Sequence, residues 1–558
     1  MTVVPSPSAS APIIVGAPRA ETGAPGIDAY RVDWKVWAAW FVGFAVFSAI
    51  LPRDAHFDIA HYHIHNGWAL ANDRLGVDMA PAGLHSFLNP VHSLIVWWLI
   101  SALPGPLVVA VLSVVQAALL PVLYVLGARL SARLDLSLSP LLLAVAALAG
   151  FLTLSNVLMQ ASLLNDHWGA LTFLIALVLL VGRHPEPPSL VSFGLASFLV
   201  GAMAGLKLTN AIYIPGFAAA ALVLTESWSA RWRASLISAV AGLAGIFLFG
   251  GWWAWMMWDM FGNPVYPHLN ATFGSPPLGP DEAFRDPRYL PEGVIDALFR
   301  PFFFSFDGSL IYEYDVADFR FLPAYVATIG TLIWIGSRAL RRLELPEGTR
   351  LVAGLSASFL VTYLFWAMMF SIIRYAMALW LVAPILVLVI SVWAFPALRE
   401  LKQFRLIALS ICAAFVLTTS QAPGRRVAWS NWTEPYVSTK LPTDLDISGS
   451  VVVFSANYPT AFTAPAFSGA AWLTHADTRA WSRPALENYR PLIRERIESS
   501  TSPVYAVMFS GQGSGADELK RMASELGLGA RFEACQALST GFDLGSTHWV
   551  VCPLTRTD

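Results

Sequence analysis

GPLVVAVLSVVQAALLPVLYVLGA, residues 105–128, runs without a single charged side chain. As a helix it is about 36 Å long, enough to cross the roughly 30 Å hydrocarbon core of a bilayer. In lipid the backbone must satisfy its own hydrogen bonds, so such a stretch is helical. Ten further apolar stretches are predicted to span: about 35–52, 138–157, 168–182, 190–206, 209–225, 235–258, 321–337, 351–370, 376–396 and 406–420. Composition agrees, with 56% hydrophobic and 13% charged residues against roughly 45–50% and about 25% in soluble domains. A soluble enzyme is excluded. The balance of 35 Lys plus Arg against 37 Asp plus Glu leaves no basic footprint for nucleic acid. The 22 Trp and 34 Phe suit aromatic belts at two membrane surfaces, with Trp252, Trp253, Trp255 and Trp258 as interface anchors.

The expected fold class is thus an α-helical polytopic membrane protein of about 11 transmembrane helices with a small C-terminal α/β domain. Residues 1–33, rich in Ala, Pro, Ser and Gly, read as a disordered cytoplasmic tail. Residues 34–420 form the transmembrane domain, with long outer loops at 53–104 and 259–320; within the first, 90–103 is short, bounded by Pro90 and Pro104, and is expected at the interface. With the N-terminus inside, the inner loops hold 12 Lys or Arg in 47 residues and the outer pieces 8 in 139, the bias that sets orientation. Eleven crossings then put residues 421–558 outside the cytoplasm. That segment mixes strand-like VVVF (451–454), PVYAVMF (503–509) and THWVVCP (547–553) with the helical ADELKRMASELG (516–527).

This topology gathers unusual polar residues on one side. The first outer loop begins RDAHFDIAHYHIHNGWAL (53–70), where on a continuous helix Asp54, Asp58, His61 and His65 share a face. Asp166 lies in LLNDHWGA (163–170), Lys207 in GLKLTNAIYIPG (205–216) and Arg374 in SIIRYAMALW (371–380), each at an outer turn. Two cations and several carboxylates make a candidate site for a phosphate-bearing substrate with an acid–base partner. Taken singly, each is as readily a solvated or snorkelling interfacial group; their convergence from separate segments favours a site.

The pattern D-x-x-x-Y-H formed by Asp58, Tyr62 and His63 resembles the first outer loop of bacterial GT-C glycosyltransferases. GLKLTN (205–210), GNPVYPHLN (262–270), DPRYLP (286–291) and IRY (373–375) are similar to motifs of that group of polytopic sugar transferases, in a likeness covering about 35–420. The resemblance implies a bacterial inner (plasma) membrane enzyme. It would take a hexose or pentose from a polyprenyl-phosphate-type donor and transfer it to a periplasmic glycan, lipid or protein acceptor in the cell envelope. It also implies Asp58 as catalytic base and Asp166 as the second acid; Asp54, one turn earlier on the same predicted face, is the runner-up for the base. The phosphate and sugar contacts would then include Lys207, Asn210, Arg374, Tyr375 and His63. The sequence departs from the pattern at Trp380, where an acid is expected soon after the R-Y element.

The chemistry is coherent without the family. A carboxylate must take the proton of the acceptor hydroxyl, and the departing lipid phosphate needs positive charge. No P-loop or dinucleotide fingerprint is present. In the loop 259–320, Asp315, Asp318 and Arg320 lie among aromatics suited to sugar rings, or belong to a structured lid. A divalent metal is the one cofactor the histidines leave open, with His61 and His65 as candidate ligands. The rival function is a metal-ion or small-solute transporter. Finally, Cys535 and Cys552 fall in the domain expected in an oxidising compartment, while Cys412 falls in an apolar span. A Cys535–Cys552 disulfide is therefore expected, against two buried thiols.

Overall fold

The computed structural model of the chain describes residues 27–182, 188–279, 284–312, 317–400, 403–419, 429–430, 432–433, 435–455, 459–476, 488–510, 515–541 and 549–556. Most of the expected N-terminal tail, and Asp315, lie outside these residues.

A helix occupies each of the eleven apolar stretches. Among the described residues four helices are long and apolar enough to cross a membrane: Gly105–Arg133, Trp228–Phe261, Thr349–Met369 and Ile373–Ala394. The expected 138–157 span is broken. Ser139 caps a helix opened by Pro140 that closes at Phe151, and the Thr153 side chain caps a separate turn, Leu154–Leu158. Asn156 holds the joint, donating from Nδ2 to the Phe151 carbonyl at 2.6 Å. The short apolar run after Pro90 is the helix Val91–Ala102.

Trp228–Phe261 is the most lipid-like helix. Its 34 residues start seven positions before the expected 235, where the Ser227 side chain caps the first turn. Trp232 and Trp255 are both exposed and lie about 35 Å apart along the axis, the separation of two membrane interfaces. Trp252 and Trp258 are exposed as well, but Trp253 is not an interface anchor: it is buried and donates from Nε1 to the Phe87 carbonyl at 3.0 Å. This helix packs on Leu190–Leu206 through small residues, since a Cβ on Gly201 would lie 2.1 Å from the Gly242 carbonyl oxygen and one on Gly245 2.3 Å from that of Phe198. Gly201 and Gly205 form the G-x-x-x-G spacing that lets two helices approach backbone to backbone.

The C-terminal part is a small sheet domain. Its strands are β1 (Thr439–Lys440), β2 (Val451–Ser455), β3 (Trp472–Ala476), β4 (Val504–Phe509), β5 (Leu528–Ala530), β6 (Gln536–Thr540) and β7 (Trp549–Arg556), in the order β1-β6-β7-β4-β2-β3 with β5 also on β7. β2 runs parallel to β3 and β4, whereas β7 runs antiparallel to β4, β5 and β6. Every residue of β2 is buried, as expected of a continuous apolar strand covered on both faces. The helices Tyr489–Glu498 and Gly515–Glu525 pack apolar faces, Ile493 and Ile497 from the first and Leu519 and Met522 from the second, into the same core. In RFEA (531–534), before Cys535, Phe532–Ala534 is a short 3-10 turn that leads into β6. Because Gln536 pairs with Val551, Cys535 and Cys552 come opposite one another, and they form a disulfide with a Cα–Cα distance of 4.1 Å.

Replacing Gly201 by Leu drives side-chain atoms into the Gly242 backbone, and overpacking of this kind costs about 1–3 kcal/mol. The expected result is a clearly lower melting temperature in detergent. Gly242→Ala, whose Cβ has 3.6 Å of clearance, should leave it nearly unchanged.

Candidate active site

The first helix, Trp34–Ile50, gives way to two extended residues, Arg53 and Asp54, that pair antiparallel with Trp429–Ser430. Helix resumes at Phe57, and over Ile59–His63 it is a π turn, closed by the Ile64 N–H donating to the Ile59 carbonyl before a regular helix continues to Ala71. The expected common face of Asp54, Asp58, His61 and His65 therefore does not form. Asp54 precedes the helix, where Oδ1 accepts the His56 N–H at 3.1 Å, and the wider turn rotates His65 away from His61. Wide turns of this type are frequent at functional sites. Here the turn places Asp58 at its N-terminal end, with the Asp58 N–H donated to His56 Nδ1 at 3.1 Å.

Three further breaks deliver the remaining charges. Asp166 opens the helix Asp166–Val181 behind Asn165, where the helix dipole favours a carboxylate. Lys207 is the extended residue between the helices ending at Leu206 and beginning at Leu208. Arg374 lies in the interruption after Met369, made possible by Ser371, whose φ of +51° and N–H to the Trp366 carbonyl turn the chain back before the 3-10 turn Ile373–Ala376.

The four charges form one chain of contacts. Arg374 Nη1 lies 2.8 Å from Asp58 Oδ2 and 3.7 Å from Asp166 Oδ2, and Lys207 Nζ lies 2.6 Å from Asp166 Oδ1 and 2.8 Å from Asn165 Oδ1. Tyr375 stacks beside both cations, its ring 5.1 Å from Lys207 Nζ and 5.0 Å from Arg374 Cζ. Two carboxylates and two cations balance, as burial requires. Burial alone raises the Asp58 carboxyl, but the opposing pull of Arg374, with smaller ones from His56, His85 and His63, leaves it well below the ordinary carboxylate range. Arg374 Nε, His63 Nε2 and Asp166 Oδ2 remain buried without a hydrogen-bond partner, so the cluster keeps unspent polar capacity. Beside it, Asp54, His56, Ser162, Tyr312 and Arg374 wall a narrow cleft.

No protein-family model and no curated protein matches this chain.

The other expected site residues divide. His63 lies next to the cluster, with Nδ1 2.9 Å from Ser93 Oγ and its ring against Tyr62 and His92. Asn210 acts as a brace: Nδ2 donates to the Met203 carbonyl at 3.2 Å and Oδ1 fills the notch left by Gly169. Asp318 and Arg320 are spent on structure, not on substrate contacts. They pair at 2.8 Å, Asp318 also accepts the Leu154 N–H, and Arg320 donates to the carbonyls of Ala149, Leu152 and Phe415. His61 faces His85 and His475, whereas His65 bonds Asn66 at 3.0 Å. Among the described residues no group of three or more His, Cys, Asp or Glu is placed to hold a metal ion. Burial, then repulsion from His85 and His475, pushes the His61 imidazole far below its ordinary value, which keeps it neutral. Trp380 is fully buried among Phe304, Phe321 and Trp366, an aromatic box in which a carboxylate would have no partner. Asn165, Tyr312 and His85 escaped the sequence reading; only the Asn165–Asp166 pair ahead of an apolar run carried a signal, as a helix start.

Removing one member of the cluster leaves an uncompensated buried charge. Asp166→Asn or Lys207→Met alone should destabilise the folded state by about 3–5 kcal/mol, whereas the pair Asp166→Leu with Lys207→Met should recover much of the loss in a thermal or denaturant melt.

Proposed function

We propose that the protein is an integral-membrane glycosyltransferase of the GT-C type that moves a sugar from a polyprenyl-phosphate-type donor to an acceptor hydroxyl. The observation that carries this reading is the convergence of Asp58, Asp166, Lys207 and Arg374, from four chain segments, at one end of an apolar bundle beside the cleft. In this reading the donor phosphate takes the place of the Asp58 carboxylate on Arg374 and joins Asp166 as a partner of Lys207, since bidentate and charge-assisted bonds hold phosphate best. The same exchange serves catalysis. A carboxylate held by Arg374 is a weak base, and transfer of the guanidinium to phosphate lets the Asp58 carboxyl regain basicity next to the acceptor hydroxyl. Asp166 then keeps Lys207 charged and placed while the phosphate leaves. The proposed setting is a bacterial plasma membrane with the N-terminus cytoplasmic and the site, with the C-terminal domain, on the periplasmic side.

Asp58→Asn, less stable for the loss of Arg374's partner, should in its folded fraction keep donor binding and reduce transfer roughly a hundredfold or more, the scale of general-base contributions. Membranes carrying the variant and the unaltered protein, incubated with radiolabelled lipid-phosphate sugars, would show it, and near-normal transfer would remove Asp58 from the role. Lys207→Ala and Arg374→Ala should instead weaken donor binding. For the topology, a reporter fused after Asp558 should be active only outside the cytoplasm; cytoplasmic activity would sink the assigned side.

A further inference from the structure

The loop between Phe261 and Phe321 contains a helix turned inside out. In Val294–Phe304, Ile295 is 75% exposed, Phe299 and Phe303 59% each, and Phe306 just beyond 63%, with Leu298 and Phe302 on the same side. The charged groups point inward. Arg300 is buried, its Nη1 2.8 Å from Asp296 Oδ2 and its Nη2 donating to the carbonyls of Tyr289 and Leu310. A helix on a water-covered surface has the opposite arrangement.

Two hydrogen bonds fix its depth. Tyr363 in the candidate span Thr349–Met369 donates its hydroxyl to the Ala297 carbonyl at 2.5 Å, and Tyr325 in the helix Phe321–Leu340 donates to the Leu298 carbonyl at 2.7 Å. Tyr363 lies six residues inside the end of its helix and Tyr325 four inside the start of its own, so the short helix sits about 6–9 Å below those ends. That is the depth at which interfacial helices rest at the headgroup and acyl boundary. The helix Phe321–Leu340, against which it packs, also exposes apolar side chains such as Val326 and Ile333. At 11 residues it is too short to span.

We propose that Val294–Phe304, with Phe306, is a membrane-seated anchor whose exposed face is immersed in lipid acyl chains at the site end of the bundle. This holds whatever reaction the site performs. The test uses the full chain with Cys412→Ser, its disulfide intact, in phosphatidylcholine vesicles. Nitroxide labels are placed at Ile295→Cys and Phe303→Cys, with Lys520→Cys, on an exposed C-terminal position, as the aqueous reference. The labels at 295 and 303 should collide several-fold more with oxygen than with a water-soluble nickel chelate, and the label at 520 the reverse. Nickel access at 295 and 303 equal to that at 520 would overturn the proposal. So would poor access to both reagents with spin–spin broadening, which would mean that a second copy of the chain covers the face. A photoactivatable phosphatidylcholine with its reactive group in the acyl chain, used on the unaltered protein, should give adducts within residues 295–306; adducts confined to the spanning helices would equally refute it.

Discussion

Taking a charged side chain out of water costs several kcal/mol even after relaxation, and this constraint governs the end of the bundle where Asp58, Asp166, Lys207 and Arg374 meet. Each of the four has an oppositely charged neighbour, and none is tolerable there alone. The apolar helices supply no polar partners of their own, so the partners must come from places where helices stop. The π turn after Asp58, the start of the helix behind Asn165, the extended Lys207 and the left-handed Ser371 are four such places. Irregular backbone among apolar helices is tolerated where it is buried in protein, and Ser371 and the residues of the π turn are buried.

The same constraint binds the C-terminal domain to the site. The segment that carries Asp58 also carries Arg53, which is fully buried and donates to Thr433 Oγ1 and to the carbonyls of Tyr436 and Gly541. Further along, Asp78 pairs with Arg74 and accepts the Leu473 N–H at 2.8 Å, while the Met79 N–H donates to the Leu473 carbonyl at 2.9 Å. Loop 53–104 is therefore a shared wall, with the charge cluster on one side and the edge strand β3 on the other. His475 of β3 packs near His61 and against Gly83, so the domain helps set the environment of the π turn. The domain is built into the site end of the molecule and is not a loosely tethered appendage.

Much of this was legible in the sequence, for identifiable reasons. Hydropathy located a helix in every apolar stretch because burial of apolar surface is non-directional and needs only composition. The outlying charges, Asp58, Asp166, Lys207 and Arg374, stood out because charge is rare in such stretches. What escaped depends on backbone geometry and on partners distant in sequence. A regular helical wheel put Asp54 and His65 with Asp58, but Asp54 is extended ahead of the helix and the π turn carries His65 away. Asp318 and Arg320 looked like ligand contacts because their carbonyl and amide partners, at Ala149, Leu152 and Leu154, are about 170 positions away. Trp253 carried the composition of an interface residue and became a core one through its bond to Phe87. Cys535 and Cys552 were readable because few cysteines leave few choices.

The Phe-rich helix and the charge cluster are joined by a very short piece of chain. After Phe306 the turn Gly308–Leu310 leads to Ile311, whose carbonyl accepts the Ile373 N–H at 3.0 Å, one residue before Arg374, and Tyr312 stands in the wall of the cleft with that arginine. An apolar surface at the depth of lipid and a buried guanidinium with unspent hydrogen-bonding capacity are thus linked by fewer than ten residues and a direct backbone bond. A ligand with a long apolar tail and one phosphate has this same division between its two ends, whereas a soluble nucleotide sugar would have no use for the Phe face. On the proposed reading, that pairing of an apolar ledge with a cationic cleft is the feature that separates a lipid-linked donor from every water-borne one.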